Sequence, residues 1–246
     1  MNPEELLQKI EKLEQENQNK REVMSLVAHE LRTSLTAQKW MLSMFLDSDF
    51  GPITDEQKNA LTQGFSQNEH LIEIVTDLIN FSQNDDMHIS YNIVEANLVS
   101  VVDAIIAEFS SESFKRGVPI LFTKPQKEII AHIDIDKIKI LLENLFSNAL
   151  KYSNKGEGVE VALTQDTKNI NIIVRDHGIG IPEKEQEQLF GKFFRATNAK
   201  EKESVGSGLG LYTAYMIAKH HNGTLLCHSK ESIGTTFTLV LPSTVS

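Results

Sequence analysis

The stretches NLFSNALKYS (residues 144–153), DHGIGIP (176–182) and GSGLGLY (206–212) stand in this order and decide how the C-terminal region folds. Apolar residues at helical spacing predict a helix over 136–152 that contains most of the first stretch. The second stretch follows an apolar strand, and the third opens a helix over 208–221. Because helices and strands are mixed in clusters and the chain ends in a hairpin of strands, an α+β sandwich is expected.

The other elements of this region are predicted from apolar spacing and turn residues. Residues 87–94 (MHISYNIV) are expected to be an extended connector, and further helices are expected over 97–116 and 183–190. The helix over 136–152 is expected to begin at an Asp136 cap. Strands are expected over residues 120–123, 128–133, 158–165, 170–176, 224–228 and 235–241.

A polar stripe on the 136–152 helix suits a magnesium–nucleotide pocket. Asn144, Asn148, Lys151 and Tyr152 share a stripe away from the apolar face of this helix. An amide oxygen is a hard ligand suitable for Mg²⁺, and a lysine can supply charge to phosphate. Asparagines on a helix are nevertheless usually just solvated, so the stripe alone does not decide the question.

The two glycine stretches complete the pattern of such a pocket. Gly208 and Gly210 would allow backbone N–H groups to approach an anion at the N-terminus of the following helix. Asp176 ends a strand, where its carboxylate can accept a hydrogen bond from an exocyclic amino group such as that of adenine. Taken singly, GSGLGL also fits an ordinary tight turn, and Asp176 also fits the start of a turn.

The N-terminal region is predicted to be a helical hairpin. Apolar residues recur there at alternating steps of four and three, which is the seam of a coiled coil. Gly51-Pro52 is a strong turn signal, and Thr54 or Asp55 can cap a second helix. A hairpin alone buries little, so dimerisation into a four-helix bundle is expected. The first seam consists of Leu6, Ile10, Leu13, Met24, Val27 and Leu31.

A histidine on the first helix is a candidate nucleophile. His29 and Thr33, four residues apart, lie side by side off the seam. A neutral imidazole is a good nucleophile near pH 7, and the adjacent Glu30 can accept the departing proton. An exposed histidine on a helix most often has no function, so chemistry alone leaves both interpretations open.

Composition limits the class of protein. The 246 residues carry a net charge of −10, which argues against a surface that coats nucleic acid. The single cysteine, Cys227, excludes a disulfide framework and fits a reducing compartment. No apolar run approaches the roughly 18–20 residues needed to cross a bilayer. A cytoplasmic chain is therefore expected, with any membrane anchor or sensor in a segment outside it.

Five motifs together resemble the H, N, G1, F and G2 boxes of the sensor histidine kinases: HELRTSL, NLFSNALKYS, DHGIGIP, LFGKFFRA and GSGLGLY. The resemblance implies an all-α helical hairpin that forms a dimeric four-helix bundle (HisKA type). An α+β sandwich for ATP binding, of the Bergerat or GHKL type shared with gyrase, Hsp90 and MutL, would follow. The implied layout is a coiled-coil linker (1–22), a dimerisation and histidine-phosphotransfer domain (23–86), the connector (87–94) and a catalytic ATP-binding domain (95–246).

Carried over position by position, the resemblance implies roles for individual residues. His29 would be the phosphoacceptor, Glu30 the neighbouring acid/base, and Thr33 the residue that orients water when the partner is dephosphorylated. Arg195 would reach the γ-phosphate, and Asn148 would bind Mg²⁺. The residues implied around the nucleotide are Asn144, Asn148, Lys151, Tyr152, Asp176, Gly178, Gly180, Phe190, Phe193, Gly206, Gly208, Leu209 and Gly210. Phe190, Phe193 and Phe194 would pack beneath a mobile lid over 197–205.

The activity implied is ATP-dependent autophosphorylation of His29 in a homodimer. The phosphoryl group would then pass to an aspartate on a response-regulator receiver domain, towards which the protein would also act as a phosphatase. Two other functions remain open: a scaffold that binds ATP without phosphorylation, and an ATPase of the gyrase and Hsp90 kind. The product separates the last from a kinase, because an ATPase releases free phosphate and a kinase forms phosphoprotein.

Two local features complete the sequence-based expectations. Ser34 stands where the family often has proline, and serine keeps the backbone N–H, so a straighter helix is expected there. His220-His221 lacks a cysteine or carboxylate cluster at metal-ligand spacing. The pair is therefore expected to end a helix, with Asn222-Gly223 as the stop.

Overall fold

The computed structural model describes residues 3–84, 91–203 and 206–243. Its contacts divide the chain into two compact units, Met1–Met87 and His88–Ser246. Residues 85–90, which include residues 87–90 of the predicted connector, lie outside the described residues. The domain boundaries implied by the sequence (1–22, 23–86, 87–94 and 95–246) stay predictions.

The first unit is a helical hairpin, as expected. Helix α1 spans Pro3–Leu46 and helix α2 spans Asp55–Asn84. The chain turns between them through Gly51, which has a φ of 104°. A reciprocal capping box then starts α2: the Gln57 N–H donates to Thr54 Oγ1 (3.2 Å), and the Thr54 N–H donates to Gln57 Oε1 (2.9 Å).

Helix α1 continues unbroken through Ser34, in keeping with a residue that retains its backbone N–H. The side chains of Leu6, Ile10 and Leu13 lie outside the part of α1 whose side chains are described, so the first half of the seam stays a prediction. In the second half, Met24 is partly buried, and Val27 and Leu31 are about half exposed in the single chain. Ala28, which is not a seam residue, is fully buried.

Polar contacts fix how α1 lies against α2. Lys39 Nζ lies 2.7 Å from Glu69 Oε1. The buried Asn68 donates from Nδ2 to Gln38 Oε1 at 3.0 Å. Each contact joins the two helices across a sequence separation of 30 residues. Hydrogen bonds with defined geometry favour one register of the hairpin over a sliding apolar contact.

Much apolar surface of the hairpin is exposed in the single chain. Several large side chains on α1 and α2 are more than two fifths accessible, although the seam pattern assigns some of them to an interface. They are Val23, Leu26, Val27, Leu31, Trp40, Met41 and Leu71. Apolar side chains exposed at helical spacing, such as Val23, Val27 and Leu31, favour a face that another protein surface covers.

The second unit combines a five-stranded sheet with helices. Its elements are β1 (Val94–Asn97), α3 (Leu98–Glu108), α4 (Ser110–Arg116), β2 (Ile120–Thr123), β3 (Ile130–Ile133), α5 (Ile135–Tyr152), β4 (Val159–Gln165), β5 (Asn169–Arg175), a 3₁₀ helix (Glu183–Gln188), α6 (Thr197–Lys202), α7 (Gly210–His220), β6 (Thr224–Lys230) and β7 (Gly234–Pro242).

The sheet has the order β2-β4-β5-β7-β6, and β1 pairs with β3 in a separate antiparallel ladder. Only β2 and β4 run parallel among the pairs of the large sheet. Alternate residues of β4, β5 and β7 are buried, as the period of a strand with one covered face requires. Helices α5 and α7 pack against each other and contribute to the same core, which fixes the two helices that carry the predicted pocket.

Four local predictions need correction. The single helix expected over 97–116 is two helices, α3 and α4. The break lies at Phe109, whose ring packs edge-on against Phe146 with centroids 5.9 Å apart. Ser110 Oγ also donates to the Ala107 carbonyl there. The helix predicted over 183–190 is a 3₁₀ helix that ends earlier, at Gln188. The cap of α5 is Asp134, which accepts from the Lys137 N–H, and not Asp136. Val94, assigned to the connector, begins a strand.

Candidate functional sites

The DHGIGIP loop is held against the end of α5. Ser153 and Gly178 form an isolated antiparallel bridge. A Cβ at position 178 would overlap the Tyr152 carbonyl, and one at position 180, where φ is +62°, would overlap the Lys230 carbonyl. Only glycine allows the backbone to approach so closely on both sides. The glycines of this motif are therefore required by the shape of the loop.

Asp176 is buried at the base of this loop, with 5% of its surface exposed. Its Oδ1 accepts hydrogen bonds from the backbone N–H groups of Gly178 (3.0 Å) and Thr235 (3.1 Å). Burial raises the pKa of this carboxyl group, and the two backbone donors oppose that rise. Both donors use the same oxygen, so Oδ2 is the oxygen available to a ligand.

The polar stripe on α5 lies where the sequence places it. Asn144, Asn148, Lys151 and Tyr152 are partly buried, whereas residues on the other face, such as Leu145, are fully buried. Asn144 Nδ2 donates to the Ile140 carbonyl (2.8 Å), and a Cβ at position 210 would overlap Asn144 Oδ1. Asn144 therefore lies directly against the start of α7.

The GSGLGLY loop leads into that helix start. Gly208 has a φ of +72°, and a Cβ there would fall within 2.6 Å of the Phe193 carbonyl carbon and close to the Phe194 oxygen. Leu209 is buried, and its N–H donates to Ser207 Oγ (3.1 Å). Helix α7 begins at Gly210, so its first N–H groups meet the polar stripe of α5. A helix N-terminus of this kind suits a phosphate group.

The predicted lid contains a short helix, α6, and is not simply a polar loop; Ser204 and Val205 of that segment lie outside the described residues. Asn198 Nδ2 donates to the Gly180 carbonyl (2.9 Å). Lys202 Nζ donates to the carbonyls of Tyr152 (2.6 Å) and Ser153 (3.0 Å). Helix α6 therefore joins the DHGIGIP loop to the C-terminal end of α5.

Sequence reasoning did not single out Asn198 and Lys202. Both lie in a segment whose composition indicated only a polar lid, and their partners are backbone carbonyls, which carry no side-chain signal. Burial lowers the pKa of Lys202, while the negative charges of Asp176 and Glu157 oppose this shift. The ammonium group is thus close enough to the buried carboxylate to interact with it.

Arg195 makes hydrogen bonds to backbone carbonyls of the lid and of the residue that follows it. Its guanidinium donates to the carbonyls of Gly206 (3.3 Å), Ala199 (3.4 Å) and Glu203. These contacts join the segment before α6 to the segment after it. In this conformation the side chain contacts the ends of the lid, and its predicted role at a γ-phosphate stays a proposal.

The phenylalanines of LFGKFFRA differ in their environments. Phe190 stacks on Tyr215 of α7 with ring centroids 5.1 Å apart, and Phe194 packs against the core. Phe193 has a φ of +62° and is 63% exposed. The expectation that all three pack beneath the lid is therefore wrong for Phe193.

The candidate nucleophile lies on α1 of the first unit. His29, Glu30 and Thr33 are exposed, and Ala28 beside them is buried against the hairpin. Thr33 Oγ1 donates to the His29 carbonyl at 3.0 Å. This hydrogen bond fixes the hydroxyl beside the histidine and leaves its lone pairs to accept from solvent.

The geometry defines an α+β sandwich with a buried carboxylate and two glycine loops, joined to a helical hairpin that exposes a histidine, and family models match both parts. The model described as "Histidine kinase-, DNA gyrase B-, and HSP90-like ATPase" matches residues 133–245. The model of the "His Kinase A (phospho-acceptor) domain" matches residues 19–86. The chain belongs to the histidine kinase family and contains its catalytic core.

Curated relatives are similar over nearly the whole chain. The sensor histidine kinase WalK of Bacillus subtilis is 32% identical over 93% of this chain and 38% of its own length. The sensor histidine kinase MtrB of Mycolicibacterium paratuberculosis is 27% identical over 97% of this chain and 42% of its own length. This chain thus spans about two fifths of these relatives.

Solved structures show the same fold. Full-length ShkA in complex with AMPPNP has a TM-score of 0.68 at 20% identity, over 92% of this chain and 46% of its own. The Acinetobacter baumannii histidine kinase AdeS has a TM-score of 0.59 at 22% identity, over 88% of this chain and 98% of its own. Among the described residues of this chain, no helix is both long enough and apolar enough to cross a membrane.

Proposed function

We propose that this protein is an ATP-dependent autokinase that phosphorylates His29. The observation that carries the proposal is the arrangement of two motifs along α5: the DHGIGIP loop with the buried Asp176 lies against its C-terminal end, and the N-terminus of α7 lies against Asn144. The exposed His29 on α1 supplies an acceptor. Each part alone has other uses, and their combination in one chain supports a kinase.

The proposed reaction moves a phosphoryl group from oxygen to nitrogen. The neutral imidazole of His29 attacks the γ-phosphorus in line, so an N–P bond forms while the bond to the β,γ-bridging oxygen breaks and ADP leaves. The imidazole proton passes to the Glu30 carboxylate or to water. The product is a phosphohistidine with high transfer potential.

The pocket residues are proposed to bind and orient the nucleotide. Asp176 Oδ2 would accept from the adenine amino group, and the N-terminus of α7 would face the phosphates. Asn148 would hold Mg²⁺, whose charge would neutralise the phosphates when the ion is bound. One protein oxygen suits this ion, because Mg²⁺ keeps several waters and takes phosphate oxygens as its other ligands. Lys151 and Arg195 would add positive charge near the phosphates.

The nucleotide pocket as a whole is proposed to comprise the residues that the motifs place there. Asn144 and Tyr152 would line it from α5, and Phe190 would support it through Tyr215. The glycines would shape its two loops. The residues of these loops are Gly178, Gly180, Gly206, Gly208, Leu209 and Gly210, and Phe193 would cover the pocket only after a change in its exposed position.

The partners proposed are a second copy of this chain and a response-regulator receiver domain. Helices α1 and α2 would cover their exposed apolar faces in a four-helix bundle. The phosphoryl group would pass from His29 to an aspartate of the receiver. The proposed location of these residues is the cytoplasm, as in the cytoplasmic portion of a membrane-anchored sensor kinase.

The test is incubation of the pure protein with γ-labelled ATP and Mg²⁺. A label that is stable to alkali and labile to acid is expected, as befits a phosphoramidate. Release of labelled inorganic phosphate without labelled protein would favour the ATPase alternative. Tight ATP binding with neither product would favour the scaffold.

Thr33→Ala is expected to spare autophosphorylation and to slow dephosphorylation of the receiver. The hydroxyl lies one turn from His29 and can orient a water, which matters only when water is the nucleophile. Positioning by one side chain contributes roughly 10²-fold, so a loss of that order is expected in the phosphatase rate.

Thr36→Ala is the matched control for this prediction. The Thr36 hydroxyl makes the same kind of hydrogen bond, to the Arg32 carbonyl at 2.7 Å, on the same exposed helix. Both rates should be unchanged in this control. Equal losses of autophosphorylation and dephosphorylation in Thr33→Ala would contradict the proposed division of roles.

A further inference from the structure

The first described residue of the second unit, Tyr91, lies between two histidines. The ring of Tyr91 stacks on His220, with centroids 5.0 Å apart and planes inclined by 13°. The edge of a second ring, His221, meets it at 5.3 Å and 87°. Both histidines end α7, where their Nδ1 atoms lie 2.8 Å from carbonyl oxygens one turn earlier. The rings thus form a two-sided bracket at the end of a helix that also carries the GSGLGLY loop.

The next residue is tied to the other helix of the pocket. The Asn92 N–H donates to Asp134 Oδ2 at 2.9 Å. Asp134 also caps α5 through its other oxygen, which accepts from the Lys137 N–H at 3.1 Å. Residues 91 and 92 are therefore fixed to the end of α7 and to the start of α5 at once.

The bracket requires one protonation state of His221. The Asp134 N–H donates to His221 Nε2 at 3.0 Å, so this nitrogen cannot carry a proton. Nδ1 faces the Ile217 carbonyl at 2.8 Å and must therefore be the protonated nitrogen. A proton added at Nε2 would set two N–H donors against each other. The imidazole is thus held neutral by its geometry.

We propose that Tyr91, seated between His220 and His221, clamps the segment that joins the two units onto the catalytic unit. The clamp includes the Asn92–Asp134 hydrogen bond and holds while the His221 imidazole is neutral. Tyr91 is a positioning residue, because its ring contacts lie at the C-terminal end of α7, whereas the proposed nucleotide pocket uses the N-terminal end of that helix. Its effect on activity rests on the autokinase function proposed above.

The ring of Tyr91 accounts for the clamp, and its hydroxyl does not. The hydroxyl oxygen is buried and has no hydrogen-bond partner among the described residues. Burial, and next the negative charge of Asp134, raise the pKa of Tyr91 to about 12, so the hydroxyl stays neutral. A phenylalanine would keep the stacking and remove an unsatisfied polar atom.

Release of the clamp would lengthen the link between the units. Freeing residues 91–93 adds up to about 10 Å of extended chain, at roughly 3.3–3.6 Å per residue. A longer free link lowers the effective concentration of one site at the other. The maximal rate of autophosphorylation should therefore fall, whereas ATP affinity, which belongs to the second unit alone, should not.

The first experiment compares the full-length wild-type protein with Tyr91→Ala and Tyr91→Phe by hydrogen exchange at the Asn92 amide. Loss of a protecting interaction of about 1 kcal/mol should accelerate exchange at least about fivefold in Tyr91→Ala. ATP affinity should stay unchanged, which also shows that the unit is folded, and the maximal labelling rate should fall about twofold. Tyr91→Phe should match the wild type in all three measurements.

Several outcomes would overturn the proposal. Unchanged Asn92 exchange in Tyr91→Ala would exclude the clamp, and faster exchange with an unchanged labelling rate would exclude a positioning role. Equal damage from Tyr91→Phe would assign the effect to the hydroxyl. If the wild type forms no acid-labile label, the proposed function fails, and the exchange measurement still decides whether the clamp exists.

The dependence on pH distinguishes this clamp from ordinary packing. Burial lowers the pKa of His221, and His220 lowers it further. The hydrogen bond to the Ile217 carbonyl and the negative charge of Asp134 oppose this shift. The neutral Tyr91 faces the edge of the ring. A lowered pKa means that the folded state binds fewer protons, so the clamp is fully stable above the usual histidine value of about 6.5 and weakens as pH falls below it. Asn92 exchange, corrected for its intrinsic rate, should rise below that pH in the wild type and not in His221→Gln. Parallel profiles in the two proteins would refute control by His221.

Discussion

His29→Gln is expected to abolish the acid-labile label formed from γ-labelled ATP, and this is the largest effect predicted for the protein. Glutamine keeps a polar side chain of similar reach at an exposed position of α1, so the hairpin should fold as before. Its amide nitrogen is not nucleophilic, because the lone pair is delocalised into the carbonyl. The chemical step therefore has no acceptor, and labelling should fall by at least about 10³-fold, the order of loss seen when a nucleophile is removed.

The same variant should bind ATP as the wild type does. Every residue proposed for the nucleotide pocket belongs to the unit His88–Ser246, whereas His29 belongs to Met1–Met87. His228→Gln, at an exposed position on β6, is the matched control and should label normally. Acid-labile label that persists in His29→Gln would assign the acceptor to another histidine.

The fold was predictable to the extent that it depends on periodicity and turn residues. The hairpin and its turn at Gly51 follow from apolar spacing and turn residues, and the structure confirms them. The helix α5 follows from apolar spacing alone, because its predicted cap was wrong. The break at Phe109 was missed because it depends on the contact with Phe146, 37 residues further along the chain. Periodicity within a helix cannot report such a contact.

The candidate pocket was predictable for a different reason. At Gly178, Gly180 and Gly208 any Cβ would overlap a neighbouring backbone. Glycine is therefore required at these positions, and the glycines appear in the sequence as recognisable motifs. Lys202 and Asn198 donate to backbone carbonyls. Every residue has a backbone carbonyl, so the sequence does not indicate which one will accept. The exposure of Phe193 depends on a positive φ that its residue type does not suggest.

Asp176→Asn is expected to weaken ATP binding without loss of stability, which is the second largest effect. The asparagine Oδ1 can still accept from the N–H groups of Gly178 and Thr235. Its Nδ2 then replaces the oxygen proposed to face the adenine amino group, so two donors meet. A hydrogen bond to a charged acceptor is worth about 1.5–3 kcal/mol, and affinity should fall by roughly 10- to 100-fold.

The stability of Asp176→Asn should not fall as its ATP affinity does. Burial raises the pKa of Asp176, so the folded state binds the carboxyl proton more tightly than the unfolded state does. The free energy of unfolding is therefore highest when the group is protonated, and it falls as pH rises through the raised pKa. A neutral amide avoids that cost at pH 7. The thermal unfolding temperature of Asp176→Asn should therefore equal or exceed that of the wild type.

Asp166→Asn provides a matched control, because Asp166 Oδ1 also accepts from two backbone N–H groups, those of Lys168 (2.7 Å) and Asn169 (2.8 Å). Asp166 is exposed, and these donors lower the pKa of its carboxyl group instead. This variant should bind ATP normally and gain no stability. Calorimetric titration with ATP and thermal unfolding of both variants separate the two effects. If Asp176→Asn binds ATP as the wild type does, the carboxylate does not recognise the base, and the buried charge has only a structural role in shaping the loop.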